Sequence, residues 1–336
     1  ILATSFAVMQ FIFGPVIGGL SDRFGRRPVL LISLVVMALD YLVMALAGSI
    51  WLLLLGRTIG GITAATQATA NAYMADISAP EDRAANFGLI GAAFGVGFVL
   101  GPLIGGLLAE FGTRAPFYAA AALAALNAVF GYLVLKETLP PEKRRPFDWR
   151  RANPLGSFRH LSKFSGLGPL LLVFFIYQFA FAVYPAVWSF FGKERFGWDP
   201  ATIGLSLALF GIMLAIVQGG LIRPVMRLLG ERGTVIYGHV FDICAFIALA
   251  FVTSGTLALI LVPLAALAAV ITPALQGIMS KAVGADAQGE LQGTLTSVSA
   301  LAMILSPMVM TGTFAAFTAP GTPMYQPGAP FLLSAA

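Results

Sequence analysis

Uninterrupted apolar stretches recur along this chain, near residues 1–20, 28–47, 50–74, 85–109, 115–135, 168–192, 200–222, 234–253, 256–279 and 289–315. A further one starts at Phe331 and runs to Ala336. The hydrocarbon core of a bilayer is crossed by about 20 residues of helix. Backbone in lipid must satisfy its own hydrogen bonds, so each stretch reads as a membrane helix. The runs are too long and unbroken for the strands of a membrane β-barrel, which alternate over about ten residues. The expectation is an all-α polytopic membrane protein. Composition agrees, because only 10% of the residues are charged, against roughly a quarter in a soluble domain. The single cysteine, Cys244, excludes a disulfide framework and offers no metal cluster. The chain opens inside an apolar run at Ile1 and closes inside another. A first helix and most of a last one are therefore expected to be absent from this chain.

Basic residues alternate between loops. Arg23, Arg26, Arg27, Arg83, Lys136, Lys143, Arg144, Arg145, Arg150, Arg151, Arg159, Lys163, Arg223, Arg227, Arg232 and Lys281 fall on one side of the expected helices. Only Arg114, Lys193 and Arg195 fall on the other. An asymmetry of this size places the first set on the cytoplasmic side of an inner membrane. The net charge of +5 is thereby explained as orientation, and nucleic acid is not expected as a partner. The polar stretch 136–167 reads as a cytoplasmic linker between an N-terminal bundle, 1–135, and a C-terminal bundle, 168–336. The halves resemble each other: Gln10, Gly25-Arg26-Arg27 and Asp40 recur as Gln218, Gly230-Glu231-Arg232 and Asp242. With the expected missing helix, the count is six and six.

Between the first two apolar stretches lies Gly18-Gly19-Leu20-Ser21-Asp22-Arg23-Phe24-Gly25-Arg26-Arg27-Pro28. So tight a turn needs the backbone freedom of Gly25. Asp22 can accept from neighbouring arginines or cap a helix N-terminus. The cluster reads either as a latch that forms in one conformation or as an ordinary topogenic loop. Further on, Gly97-x-x-x-Gly101-Pro102-x-x-Gly105-Gly106 sets glycines on one helix face, with Pro102 as a kink.

These strings resemble the major facilitator superfamily: the first its gating loop, the second the motif of its antiporter branch. Met9-Gln10-Phe11-Ile12-Phe13, Ala38-Leu39-Asp40-Tyr41-Leu42, Arg195-Phe196-Gly197-Trp198, Pro273-Ala274-Leu275-Gln276-Gly277 and Leu291-Gln292-Gly293 are similar to bacterial tetracycline-efflux antiporters. The resemblance implies two pseudo-symmetric six-helix bundles, alternating access, and a small-molecule substrate bound near the midplane. It also implies proton coupling, lipid as the only surrounding partner, and function as a monomer. Where the tetracycline pumps carry a histidine in the second helix of the C-terminal half, this chain has Leu214, which leaves tetracycline itself open as the substrate.

Only Asp40, Arg57 and Asp242 lie well inside apolar stretches. Each costs about 2.5–3.5 kcal/mol at a helix centre on insertion scales, a cost usually tied to function. Asp40 and Asp242 occupy corresponding places in the halves. The expectation is that both carry protons and contact substrate from one central cavity, with Arg57 favouring ionised Asp40 in one state. A static Asp40–Arg57 pair is the alternative. Gln10 and Gln218 either orient a polar drug or tie helices together. Gln67, Asn71 and Asn127 are weaker candidates, and His239, three residues before Asp242, either joins the proton path or, the favoured reading, is a helix-contact residue. Aromatics from Phe174 to Trp188 run round a whole helix, so only one or two can line a pocket. No phosphate-binding Gly-rich loop ending in Lys-Ser or Lys-Thr, H-E-x-x-H or G-x-S-x-G string is present. An enzyme, a cofactor and a metal site are therefore not expected. Drug efflux driven by protons leads; carriage of a metabolite and a non-transporting membrane partner remain as rivals.

Overall fold

The structure, a computed structural model, describes residues 2–64, 66–150, 152–161 and 166–336. Arg151 and Lys163 of the basic set lie outside the described residues, as do the side chains of Pro102, Gly106 and His160. The regular structure of the described residues is all helical: α1 (Leu2–Phe24), α2 (Arg26–Leu46), α3 (Ile50–Ala64), α4 (Thr66–Ile77), α5 (Arg83–Ala109), α6 (Ala115–Val134), α7 (Pro154–Leu161), α8 (Leu167–Phe181), α9 (Val183–Phe196), α10 (Pro200–Ile216), α11 (Ile222–Phe251), α12 (Gly255–Ala265), α13 (Ile271–Lys281), α14 (Gln288–Thr318) and α15 (Ala329–Ala335). A π-turn, Val217–Leu221, joins α10 to α11, and a 3₁₀ segment, Ala266–Val270, joins α12 to α13.

Among the described residues, eight stretches are long and apolar enough to cross a membrane. The sequence suggests ten and the start of another. Ala201–Phe251 is one 51-residue stretch, but Gly230 inside it adopts φ 68° and marks a turn between two spans. Residues 50–77 are described as α3 and α4 on either side of Ala65, which lies outside the described residues, and each piece is too short to be counted alone. Outward faces are apolar: Leu123, Leu126, Phe130 and Leu133 on α6 are each more than 60% exposed. A face of that kind is stable only against lipid. This is a multi-pass membrane protein.

The helices pack into two compact units, each drawn from three stretches of chain. The first is Ile1–Arg83, Pro102–Leu172 and Met279–Leu301; the second is Ala84–Gly101, Val173–Ile278 and Ala302–Ala336. These units cut across the contiguous bundles 1–135 and 168–336 that the sequence suggests. The reason lies in close helix contacts. A side chain at Gly18 would strike the Gly289 carbonyl, and one at Gly14 would lie 2.6 Å from the Gly293 carbonyl. Glycine alone lets the α1 and α14 backbones approach so closely, which draws the start of α14 into the first unit. On α5, a side chain at Gly91 would strike Gln218, and one at Gly95 would lie 2.9 Å from the Gly211 carbonyl. That contact ties the first part of α5 to α10.

Little of this packing can be hydrophobic in origin, since lipid is as apolar as leucine; contact density and hydrogen bonds must supply it. In the second unit, Trp188, Phe191 and Phe331 stack with ring centroids 5.0–6.1 Å apart. Trp188 Nε1 donates to Ser206 Oγ at 2.9 Å, joining α9 to α10. Trp188→Phe keeps the ring but deletes that bond. We expect it to cost about 1–2 kcal/mol, read as a lower melting temperature of the detergent-purified protein.

Candidate functional site

Two kinds of polar constellation interrupt this apolar body. The first is a charged node in the first unit. α1 ends at Phe24 and α2 begins at Arg26, so the turn between them is the single residue Gly25, at φ 102°. That reversal folds Arg26 back over the last turn of α1. The Arg26 side chain is fully buried. Its Nη1 donates to Asp22 Oδ1 at 2.5 Å and to Ser21 Oγ at 2.8 Å, and its Nε donates to Asp76 Oδ2 at 2.9 Å. Ser21 Oγ in turn donates to the Gly18 carbonyl.

Asp22 accepts at the same time from the backbone N–H groups of Gly289 and Glu290, both at 2.9 Å. It thus caps the N-terminus of α14, where unpaired N–H groups favour a negative charge. Of the two roles the sequence allows this aspartate, it performs both. Arg145 from the 136–153 stretch stands 3.5 Å from Asp22 Oδ2 and pairs with Glu290. Glu137 caps α2, accepting from the N–H groups of Arg26 at 2.8 Å and Arg27 at 3.3 Å. Arg27 donates to the carbonyls of Leu135 and Tyr132. Arg23 stands apart from the node: it is exposed, with its guanidinium over the Phe24 ring.

The second kind is a lone carboxylate in each unit. Asp40 on α2 is 5% exposed and sits against α3, where a side chain at Gly56 or Gly60 would crowd its oxygens. No described residue pairs with it by hydrogen bond or ion pair, and its Oδ1 is buried without a partner. Arg57 acts on it through space, without a direct bond. Asp242 on α11 is likewise 5% exposed, and no described residue gives it a hydrogen bond or an ion pair. Tyr177 and Tyr184 stand close enough to feel its charge. His239, one turn before it, points its Nδ1 at the Val235 carbonyl of its own helix, 2.8 Å away.

A family model described as the Major Facilitator Superfamily matches residues 1–307. The chain belongs to that superfamily. Among superfamily relatives, the class C tetracycline resistance protein of Escherichia coli is 44% identical over 316 residues, covering 94% of this chain and 80% of its own length. The class G tetracycline resistance protein of Vibrio anguillarum is 40% identical, again over 94% and 80%. The crystal structure of the human organic anion transporter MFSD10 (TETRAN) superposes with a TM-score of 0.88 at 30% identity, covering 99% of this chain and 80% of that one.

Other residues singled out in the sequence fall as follows within this superfamily fold. Gln218 Nε2 donates to the Ala269 carbonyl at 3.0 Å, so here it ties helices together. Gln10 on α1 is half-buried. Gln67 donates to Asn71, and Asn127 is exposed. Leu214 packs in an apolar cluster with Val217 and Ile222. No described atom lies within 4 Å of where a side chain at Gly97, Gly101 or Gly105 would begin; the tight contacts of α5 are instead at Gly91 and Gly95. Residues that sequence reasoning passed over include Asp76, Glu137, Gly289 and Glu290. Their signal was present in part, since each lies at the polar edge of an apolar stretch, where caps and ion pairs collect.

Proposed function

We propose that this protein exports an amphipathic drug, tetracycline or a compound like it, across the bacterial inner membrane in exchange for protons, by alternating access. The observation that carries the reading is the pair Asp40 and Asp242. Each is buried in a membrane helix with no hydrogen-bond or ion-pair partner among the described residues. A carboxylate so placed is costly when ionised and purposeless as a structural tie. A group that takes up and releases a proton during transport explains it. The tetracycline resistance relatives support drug export as the task. Asp40 and Asp242 hold the protons, with Arg57 favouring ionised Asp40. Both acids contact substrate, helped by Gln10 and Gln218. Bundles 1–135 and 168–336 carry one acid each, joined by the linker on the cytoplasmic side, and one copy suffices. Gly18, Ser21, Asp22, Arg23, Gly25, Arg26 and Arg27 form the gating loop, whose node makes and breaks in the cycle. Gly97, Gly101, Pro102, Gly105 and Gly106 give α5 the pliancy of an antiporter.

A second reading, carriage of an organic anion, takes support from the function named in the human structure. One experiment separates the two. Everted membrane vesicles holding the protein are energised to an acid interior, and an internal pH dye is followed as tetracycline or fluorescein is added. Saturable proton release on tetracycline alone is the expected result. Release on fluorescein alone favours the second reading, and no response to either sinks proton-coupled export of this class.

A further inference from the structure

We infer that the Tyr184 hydroxyl is the hydrogen-bond partner of Asp242 in its ionised form, which makes Tyr184 a positioning residue for proton exchange at that carboxylate. This rests on the reading of Asp242 as a proton carrier.

The geometry begins on α11. His239, Asp242 and Phe246 follow one another at i, i+3 and i+7, so they share one helix face. The Tyr177 ring lies 5.8 Å from that of His239, and the Tyr184 ring lies 5.7 Å from that of Phe246. The two tyrosines therefore pack on the two residues that flank Asp242 on that face. Both bring a hydroxyl, but the hydroxyls differ. That of Tyr177 is engaged with Thr272. That of Tyr184 is buried and has no hydrogen-bond partner among the described residues.

A phenol without an acceptor and a carboxylate without a donor thus share one apolar neighbourhood. An unmet buried donor or acceptor is expensive, and burial of two together is relieved most simply by pairing them, directly or through one water. The Tyr184 ring is held in place by Phe181, Trp188, Phe210, Phe246 and Phe331, with centroids 5.5–6.2 Å away. The ring is therefore fixed by packing, which leaves its hydroxyl little freedom. A phenol donates to a carboxylate far better than to a carboxylic acid, so the bond strengthens when the proton leaves.

Other groups facing Asp242 are few. Tyr177 comes from α8, and His239, whose Nδ1 is engaged by its own helix, from α11. Of the other described elements packed on α11, α12, α15, the π-turn 217–221 and the 3₁₀ segment 266–270 carry no titratable side chain. α13, whose Ile271 lies against Gly238, carries Lys281 at its far end, and α9, whose Arg195 donates to the Val252 carbonyl, carries Lys193, Glu194 and Arg195 in its last turn.

The test is tetracycline efflux from proteoliposomes as a function of pH, for wild type, Asp242→Asn, Tyr184→Phe and Tyr177→Phe. Wild type should show an acid limb, along which Asp242 loses its proton, and Asp242→Asn should lack it. Tyr184→Phe keeps the ring and removes the donor to the ionised form. Its limb should move to higher pH by about one unit, with a plateau rate within about twofold of wild type. Tyr177→Phe should leave the limb in place. A lowered plateau with an unmoved limb would make Tyr184 a packing residue only and overturn the inference. An acid limb that survives in Asp242→Asn would instead overturn the role of Asp242. Should Tyr184→Phe fail to accumulate, infrared difference spectra of wild type with isotope-labelled tyrosine decide. A tyrosine band that shifts as the Asp242 carboxylic band disappears supports the pairing; a static tyrosine band refutes it.

Discussion

Arg26→Ala is expected to remove about 3–5 kcal/mol of stability. The guanidinium is fully buried and binds two carboxylates and a hydroxyl. Removing it strands both acids, though unequally. Asp22 keeps the Gly289 and Glu290 N–H groups and the nearby Arg145 charge. Asp76 keeps the hydrogen bond from Thr138 Oγ1, at 3.1 Å, and the more distant Arg83 charge, while its Oδ1 already lacks a partner among the described residues. Most of the penalty therefore falls on Asp76. Adding Asp76→Asn to Arg26→Ala should recover part of the loss, because an amide tolerates burial better than an uncompensated charge. Arg26→Lys should fall between, since an ammonium keeps the charge without the fork that reaches both carboxylates. Membrane abundance and the melting temperature in detergent check all three. Equal stability of Arg26→Ala and wild type would show that the node contributes nothing net.

The same node shows what the sequence can and cannot convey. Gly25, Asp22 and Arg26 are legible because a one-residue turn between apolar helices demands glycine, and because charges beside it must find partners. Which partners they find is a matter of contacts far apart in the chain. Nothing local in Glu290 or Arg145 says that both meet Asp22. The membrane helices are legible because lipid imposes a length and a composition on each one independently. How they are grouped is not, because packing in lipid is decided by close contacts such as Gly18 with Gly289, invisible to hydropathy. The acids Asp40 and Asp242 stand out for the opposite reason: they break the pattern that lipid enforces. Their lack of partners, however, emerges only once every neighbour is placed. Tyr184 was one aromatic among many until its hydroxyl proved to have no acceptor.

Asp242→Asn is expected to lower proton-driven efflux by a factor of about 100 or more while leaving the protein folded and abundant in the membrane. The two side chains have nearly the same volume, so the packing of Tyr177, Tyr184 and Phe246 around the position survives. No described residue pairs with the carboxylate as an ion, so no partner charge among them is stranded by its loss, unlike at Arg26. The amide is also cheaper to bury than an ionised acid, and the variant should melt no lower than wild type. What the amide cannot do is bind and release a proton. Exchange of a bound proton for substrate requires a group whose charge differs between the two half-cycles, and asparagine is neutral in both. Substrate counterflow, which needs no net proton movement, should therefore persist better than efflux against a gradient. Measuring both in the same proteoliposomes separates coupling from binding. Efflux at the wild-type rate would remove Asp242 from the proton path, and parallel loss of efflux and counterflow would assign it to substrate binding alone.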